Sequence, residues 1–283
     1  MNIQLQITKP LVSVEWLYKN RLAPNLVILD ATIPKVGQKE TELSRNDGIE
    51  NVRFFDIKNV FSNNKAPFPN TLVSPKIFEI EARKLGINKN SAIVVYDQHG
   101  IYSSPRAWWL FKTMGHKNIA VLDGGLPAWK NAGYPCEKIK AYKGELGNFK
   151  SNYQPSYIYD YRKVLDAISD NNKLILDARS DDRFKGLRPE PRAGLRSGHI
   201  PNSKNLPYNK LLNDEKMLPK KDLTRKFDSL ITGRKPQIIF SCGSGITACI
   251  LALGAEVAGY KNLAVYDGSW TEWGSLHELP IEK

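Results

Sequence analysis

Cysteine is scarce in this chain: there are three, Cys136, Cys242 and Cys249, and their spacing forms no even framework of paired thiols. A small disulfide-stapled secreted scaffold is therefore excluded. No apolar run reaches the ~18 residues of a membrane span. The opening "MNIQLQITKPLVSVEWLYKN" has no basic segment followed by an apolar core, so neither membrane insertion nor a secretory signal is expected. A reducing compartment, the cytoplasm, follows as the expectation. Basic blocks are missing too. Although the formal net charge is +12, the lysines are spread along the chain and nothing longer than "PKKD" (219–222) forms a cluster. Nucleic acid is not the expected partner, and the positive field suits small anions or acidic partners instead. What is present is length: 283 residues suffice for two domains of roughly 100–200 residues, each with a core of its own.

The chain repeats itself. "LVILDATI" (26–33) corresponds to "LILDARS" (174–180), "SAIVVYD" (91–97) to "PQIIFSC" (236–242), and "NIAVLDGGLPAW" (118–129) to "NLAVYDGSWTEW" (262–273). Matching Asp30 with Asp177, Asp97 with Cys242 and Asp123 with Asp267 gives nearly constant offsets of 147, 145 and 144, the mark of a tandem duplication. Each landmark is a short β-branched run ending in polar or glycine residues, the pattern of a buried parallel strand. Helical patterns lie between them. "SPKIFEIEARKLGI" opens with Ser74 as N-cap and Pro75 at the first helical position, and "TRKFDSLITG" is expected to stop at Gly233. Two α/β domains follow, over residues 1–140 and 158–283, with the polar, aperiodic stretch 141–157 as linker.

Chemistry is sought first at "IIFSCGSGITACI" (238–250). Cys242 falls just beyond the carboxyl end of a buried strand, where open α/β sheets bind ligands. Gly243, Ser244 and Gly245 remove bulk so that successive backbone N–H groups turn toward one point, and an apolar helix runs on from Thr247 to Gly259. A thiolate so placed is stabilised; such surroundings give pKa values of ~3.5–7.5, against ~8.5 for a free cysteine. Buried structural thiols are the commoner case, and Cys249 in "TACILAL" and Cys136 after "GYP" are assigned to it. A cysteine phosphatase would place an arginine after five further residues to clamp phosphate, but Ala248 stands there. A cysteine protease would need a histidine as base, and His99, His116, His199 and His277 are not so placed.

The loop "CGSGIT", the ending "YDGSWTEWG" and the upstream "SGHIPNSKNLP" together resemble the two-domain sulfurtransferases of the rhodanese type, in their 3-mercaptopyruvate branch. Ile246 replaces that branch's usual valine. The resemblance implies an α/β fold of two tandem rhodanese-like domains, each a central, mainly parallel sheet flanked by helices. It implies that Asp97 makes the first domain catalytically silent, serving to complete a cleft. Arg183 and Arg192 in "DDRFKGLRPEPRAGLRSGHIP" match the substrate arginines, whose planar forks suit a carboxylate; Arg179 could structure the loop, and Arg188 and Arg196 are less firmly assigned. Cys242 is then the nucleophile that takes sulfur from 3-mercaptopyruvate, with Gly243, Gly245, Ile246 and Thr247 binding the substrate and Ser244 as the nearby hydroxyl. Thioredoxin, a small thiol or cyanide is the implied acceptor, the protein is a monomer, and no metal or organic cofactor is implied.

The chain departs from that branch in one place. Ser244 resembles the first member of a Ser-His-Asp relay and Asp56, in "RFFDI", matches the acid, but "KAPFPN" (65–70) puts Ala66 and Pro67 where the histidine belongs. The upstream signature of the first half is eroded as well, reading "GIENVRFFDI". Either the relay is dispensable, with Ser244 or water handling the proton, or the protein has drifted toward another sulfur donor. His99, following Asp97 at a strand end, is the alternative histidine, against which stands an ordinary surface role. Thiosulfate is the rival donor, disfavoured because a small dianion favours cationic residues after the cysteine over a neutral serine. A non-catalytic sulfur-relay or anion-binding module is the rival of another class.

Overall fold

The structure, a computed structural model, describes residues 4–39, 41, 47–231 and 237–283. It separates into a first unit of Met1–Asn63, Leu72–Gln154 and Asp214–Met217 and a second unit of Asn64–Thr71, Pro155–Asn213 and Leu218–Lys283.

The first unit contains strands β1 (Leu11–Val12), β2 (Leu26–Asp30), β3 (Asp47–Ile49), β4 (Arg53–Phe54), β5 (Ala92–Tyr96), β6 (Ile119–Leu122) and β7 (Cys136–Lys138), with helices α1 (Val14–Asn20), α2 (Pro75–Lys84), α3 (Ser104–Thr113) and α4 (Gly125–Asn131). Its sheet runs β1-β6-β5-β2-β4, parallel at every pairing. The strands of the second unit's sheet are β8 (Ile158–Tyr159), β9 (Lys173–Asp177), β10 (Lys204–Asn205), β11 (Gln237–Ser241) and β12 (Leu263–Tyr266). Their order, β8-β12-β11-β9-β10, is again all parallel. The two sheets agree strand for strand, as the duplication in the sequence requires.

Burial explains the composition of the strands. All five residues of β5, "AIVVY", are buried, because a parallel sheet flanked by helices has no wet face to reward polar alternation. In the second unit α5 (Tyr161–Ala167), α6 (Asp181–Phe184), α7 (Lys220–Asp228), α8 (Ala248–Ala258) and α9 (Ser269–Trp273) accompany the sheet. Helix α8, "ACILALGAEVA", is apolar nearly all round and buries eight of its residues, so packing rather than amphipathicity holds it. It ends at Gly259, whose φ of 100° is the left-handed conformation that glycine adopts without Cβ strain. In α2, the Ser74 side chain accepts from the Ile77 amide and Pro75 opens the helix, as expected. Helix α7 already ends at Asp228; the stop expected at Gly233 lies outside the described residues.

Two sequence expectations need refinement. Within the stretch read as linker, the amides of Gly147, Phe149 and Asn152 donate to Arg83, Ile87 and Met114 carbonyls of the first unit at 2.8, 3.0 and 2.9 Å. Phe149 is buried there, its ring 5.8 Å from Phe111 and 5.9 Å from Phe78, so its ring and these backbone bonds together lay the segment down. Cys136, read as a buried structural thiol, is exposed. It lies on β7, which pairs with β3 as a two-stranded ribbon away from the main sheet.

Candidate active site

β11 pairs in register with β9, Ser241 opposite Asp177, so Cys242 is the first residue past the carboxyl end of the central strand. It is buried. Gly245 turns the chain with a φ of +78° and α8 begins at Ala248. Among the described residues, the backbone amides of Gly243, Ser244, Ile246 and Thr247 have no protein acceptor. Several donors in succession ahead of a helix form a receptor for negative charge. Cys249, the second residue of α8, directs its thiol to the Gly245 carbonyl at 3.3 Å and so braces the loop from behind.

Cys242 is anchored through α9. Its amide donates to Ser269 Oγ at 3.1 Å, and its carbonyl accepts from the Trp270 amide at 2.9 Å. Ser269 Oγ lies 3.9 Å from Cys242 Sγ and 2.8 Å from the Tyr266 carbonyl, so its one proton serves either the sulfur or the carbonyl. This serine has a φ of 50°. A left-handed non-glycine residue costs about 1–3 kcal/mol, a strain that persists where the surroundings fix it.

A network of charges flanks the loop. Arg183 donates to Glu190 through Nε at 3.2 Å and Nη2 at 2.5 Å, and its guanidinium stands over Gly243, where an added Cβ would come within 3.2 Å of Nη2. Gly243 therefore makes room for the cation. Glu190 is itself pinned by the buried Arg179 at 2.9 Å. Arg179 also grips Asp177 with Nε and Nη2 at 2.9 and 2.6 Å, and lies 4.3 Å above the Trp270 ring. Burial opposes the charge of Arg179, but Asp177 and then Glu190 outweigh it and the net shift is upward. Arg179 is thus a strut. Arg192 is exposed and donates to Thr271 Oγ1 at 3.2 Å, while Thr271 donates to the Gly243 carbonyl at 2.6 Å. Arg196 donates to carbonyls of Trp273, Leu276 and Leu279 at 3.0, 2.6 and 2.8 Å, tying the end of α9 to the chain beyond it, and Arg188 is solvated, 3.6 Å from Asp182.

Ser244 has a partner that sequence reasoning missed. Asn70 Nδ2 donates to Ser244 Oγ at 3.0 Å and to the Ser244 carbonyl at 3.2 Å, within the second unit. Asp56 lies in the first unit, where its carboxylate accepts from the Lys58 and Asn59 amides at 3.1 and 2.9 Å and from Asn59 Nδ2 at 3.0 Å, the bonds of a turn cap. His99, also in the first unit, is half-buried with Nε2 3.0 Å from the Ile33 carbonyl. No group of three or more metal-ligating side chains occurs among the described residues.

The rhodanese-like domain model matches residues 13–132 and again 160–276. The chain belongs to the rhodanese-like family. It is 37% identical to the mitochondrial thiosulfate/3-mercaptopyruvate sulfurtransferase 1 of Arabidopsis thaliana, over 97% of this chain and 78% of that one. The 3-mercaptopyruvate sulfurtransferase of Escherichia coli K12 is 34% identical over 96% of this chain and 97% of its own length. The crystal structure of SseA from Escherichia coli, described as a 3-mercaptopyruvate sulfotransferase, superposes with a TM-score of 0.83 at 31% identity, covering 93% of this chain and 99% of that one.

The structure places Cys242 and Ser244 on one loop, Arg183 over Gly243 of that loop, and Arg192 against it through Thr271. Glu190, Ser269, Thr271 and Asn70 were not foreseen. Ser269 carried a signal, because the duplication aligns it with Gly125, and a hydroxyl gained on the cysteine-bearing half alone invites a role. Glu190 sits between two arginines in "RPEPR"; Asn70 and Thr271 carried none.

Proposed function

We propose that the chain is an enzyme that moves the sulfur of 3-mercaptopyruvate to a thiol acceptor through a persulfide on Cys242. The observation that carries this reading is the pairing of an uncharged loop of backbone donors after Cys242 with Arg183, held over Gly243 by Glu190. A neutral loop suits an anionic sulfur, and a single oriented fork suits one carboxylate. The Cys242 thiolate attacks the substrate sulfur and the carbon–sulfur bond breaks. The sulfur, with its proton, stays on Cys242, and the electron pair leaves on the methylene carbon as the enolate of pyruvate. Arg183 and Arg192 bind the carboxylate, the loop residues Gly243, Gly245, Ile246 and Thr247 surround the sulfur, to which the amides of Gly243, Ile246 and Thr247 donate, and Ser244 or water returns a proton to the enolate. An acceptor thiolate, from thioredoxin or a small thiol, then attacks the outer sulfur and releases the Cys242 thiolate.

We assign catalysis to residues 158–283 and silence to 1–140, joined by 141–157, in a monomer. Three cysteines without the spacing of a disulfide framework suit a reducing compartment such as the cytoplasm, and no helix among the described residues is long and apolar enough to cross a membrane. The test is donor competition: pyruvate release from 3-mercaptopyruvate against sulfite release from thiosulfate, each with a thiol acceptor. A higher kcat/KM for 3-mercaptopyruvate is expected; turnover with thiosulfate alone would assign the protein to the other donor, and turnover with neither would favour a binding module.

A further inference from the structure

The hydrogen bonds around Ser244 specify which way its proton points. Asn70 contributes one amide nitrogen to both the hydroxyl and the carbonyl of Ser244, at 3.0 and 3.2 Å. A backbone carbonyl only accepts, so the Asn70 atom facing it has to be the NH2 group; the flipped amide would set two oxygens against each other. The hydroxyl oxygen consequently receives a hydrogen bond from behind, and its own proton is left to point away from Asn70.

The segment that delivers the amide is stiff. Pro67 and Pro69 fix φ on either side of Phe68, and Thr71 Oγ1 donates to the Phe68 carbonyl at 2.8 Å. Asn70 itself has a φ of 61°, a left-handed conformation in which asparagine is enriched over other non-glycine residues. An amide side chain, unlike an imidazole, neither takes up nor gives up a proton near neutral pH.

Resting on the sulfurtransferase reading, we propose that Asn70 is a positioning residue that fixes Ser244 as a hydrogen-bond donor toward the substrate, with no titrating group behind it. Ser244 therefore works as a fixed dipole for the developing enolate rather than as a link in a proton chain, and the proton consumed comes from solvent. The contribution of Asn70 to catalysis runs through its two bonds to Ser244, so removing the pair is expected to lower kcat no more than removing the hydroxyl alone.

The experiment is a double-mutant cycle on pyruvate release using Asn70→Asp, Ser244→Ala and the double variant. Aspartate is isosteric and tolerates the left-handed backbone, but as a carboxylate it accepts only, so it repels the Ser244 carbonyl and draws the hydroxyl proton to itself. Asn70→Asp is expected to lower kcat about tenfold with KM changed less than about twofold, and to lower it less than about twofold in the Ser244→Ala background. Wild-type kcat is expected to be flat between about pH 6 and 8, without the inflection of a histidine near ~6.5, and Asn70→His to introduce one. If Asn70→Asp fails to fold, Asn70→Gly removes the same amide at a backbone angle glycine accepts, with the same expected losses. An unchanged kcat, an equal loss with and without the Ser244 hydroxyl, or a histidine-like inflection in the wild type would each overturn the inference. Wild-type pyruvate release is measured first: its absence sinks the donor assignment and this inference together, whereas release that is insensitive to residue 70 removes Asn70 alone.

Discussion

At the end of β5 the chain places Asp97, and at the matching end of β11 it places Cys242; the loops that follow use their backbone donors in opposite ways. In the first unit Asp97 Oδ2 accepts from the amides of Tyr102, Ser103 and Ser104 at 2.9, 2.9 and 2.8 Å and from Ser104 Oγ at 2.6 Å, while Oδ1 accepts from the His99 amide at 3.0 Å. The loop contains its own anion. In the second unit the amides of Gly243, Ser244, Ile246 and Thr247 have no protein acceptor among the described residues, and the residue at the centre is a thiol. The frame is otherwise duplicated. Gly100 and Gly245 both turn left-handed, at φ of 92° and 78°, as do Gly125 and Ser269, at 53° and 50°. A Cβ at Gly125 would come within 2.3 Å of the Asp97 carbonyl, so only the second unit admits the serine that reaches its cysteine. The cations differ as well: at the offset of 147 residues Arg179 falls on Thr32 and Arg183 on exposed Val36. The loop of the first half is thus filled by its own carboxylate, whereas the matching loop of the second half keeps backbone donors with no protein acceptor among the described residues.

The comparison can be broken most sharply at the two strand ends. Cys242→Ser is expected to abolish sulfur uptake while leaving the fold intact, checked by persulfide labelling beside a denaturation curve. Asp97→Ala removes a carboxylate that accepts five hydrogen bonds. Because buried donors left without an acceptor each cost about 1–3 kcal/mol, it should lower unfolding stability by about 3 kcal/mol or more, measured in urea. Cys242→Ala should cost about 1 kcal/mol. Equal losses at the two positions would show that the two loops are not distinguished by what fills them.

The cations sharpen the comparison further. Arg183→Ala is expected to lower kcat/KM for 3-mercaptopyruvate by about 10–100-fold, the worth of a charge-assisted hydrogen bond to a carboxylate. Arg192→Ala should cost less, about threefold to tenfold, because Arg192 is exposed and held by a single neutral partner. The smallest effect concerns Glu272 in α9. Burial raises its carboxyl above the ordinary 4.5, with Asp267 and Asp160 adding to the shift. The folded protein therefore prefers Glu272 protonated, and the stability this gives is full below the unfolded value and is lost as pH rises through the folded one. Glu272→Gln should match wild type in Tm near about pH 4 and exceed it near about pH 7.5.

Much of this was legible in the residues. The duplication, the central strands and the position of Cys242 follow from apolar runs that end in aspartate, cysteine or glycine, because a buried parallel strand leaves little freedom in composition. The helix start at Ser74–Pro75 and the stop at Gly259 were legible for local reasons of capping. Gly243 was legible as a glycine, yet its reason is tertiary: it admits the Arg183 guanidinium. Asn70 was hidden altogether, since it meets Ser244 across 174 positions of sequence and no local pattern marks such a partner. Thr271 was hidden for the same reason, its partners Arg192 and Gly243 lying 79 and 28 positions away, whereas Glu190 stands between two arginines and only 7 positions from Arg183.

The central claim is that the receptor after β11, and not its twin after β5, takes sulfur from 3-mercaptopyruvate. Peptide-resolved mass analysis of the reduced protein after brief exposure to that donor, with pyruvate quantified alongside, tests it most directly. One added sulfur on the peptide carrying Cys242, matched by one pyruvate and absent from Cys242→Ser, is the predicted result; sulfur on Cys136 or Cys249 instead, or pyruvate released by the serine variant, would contradict it.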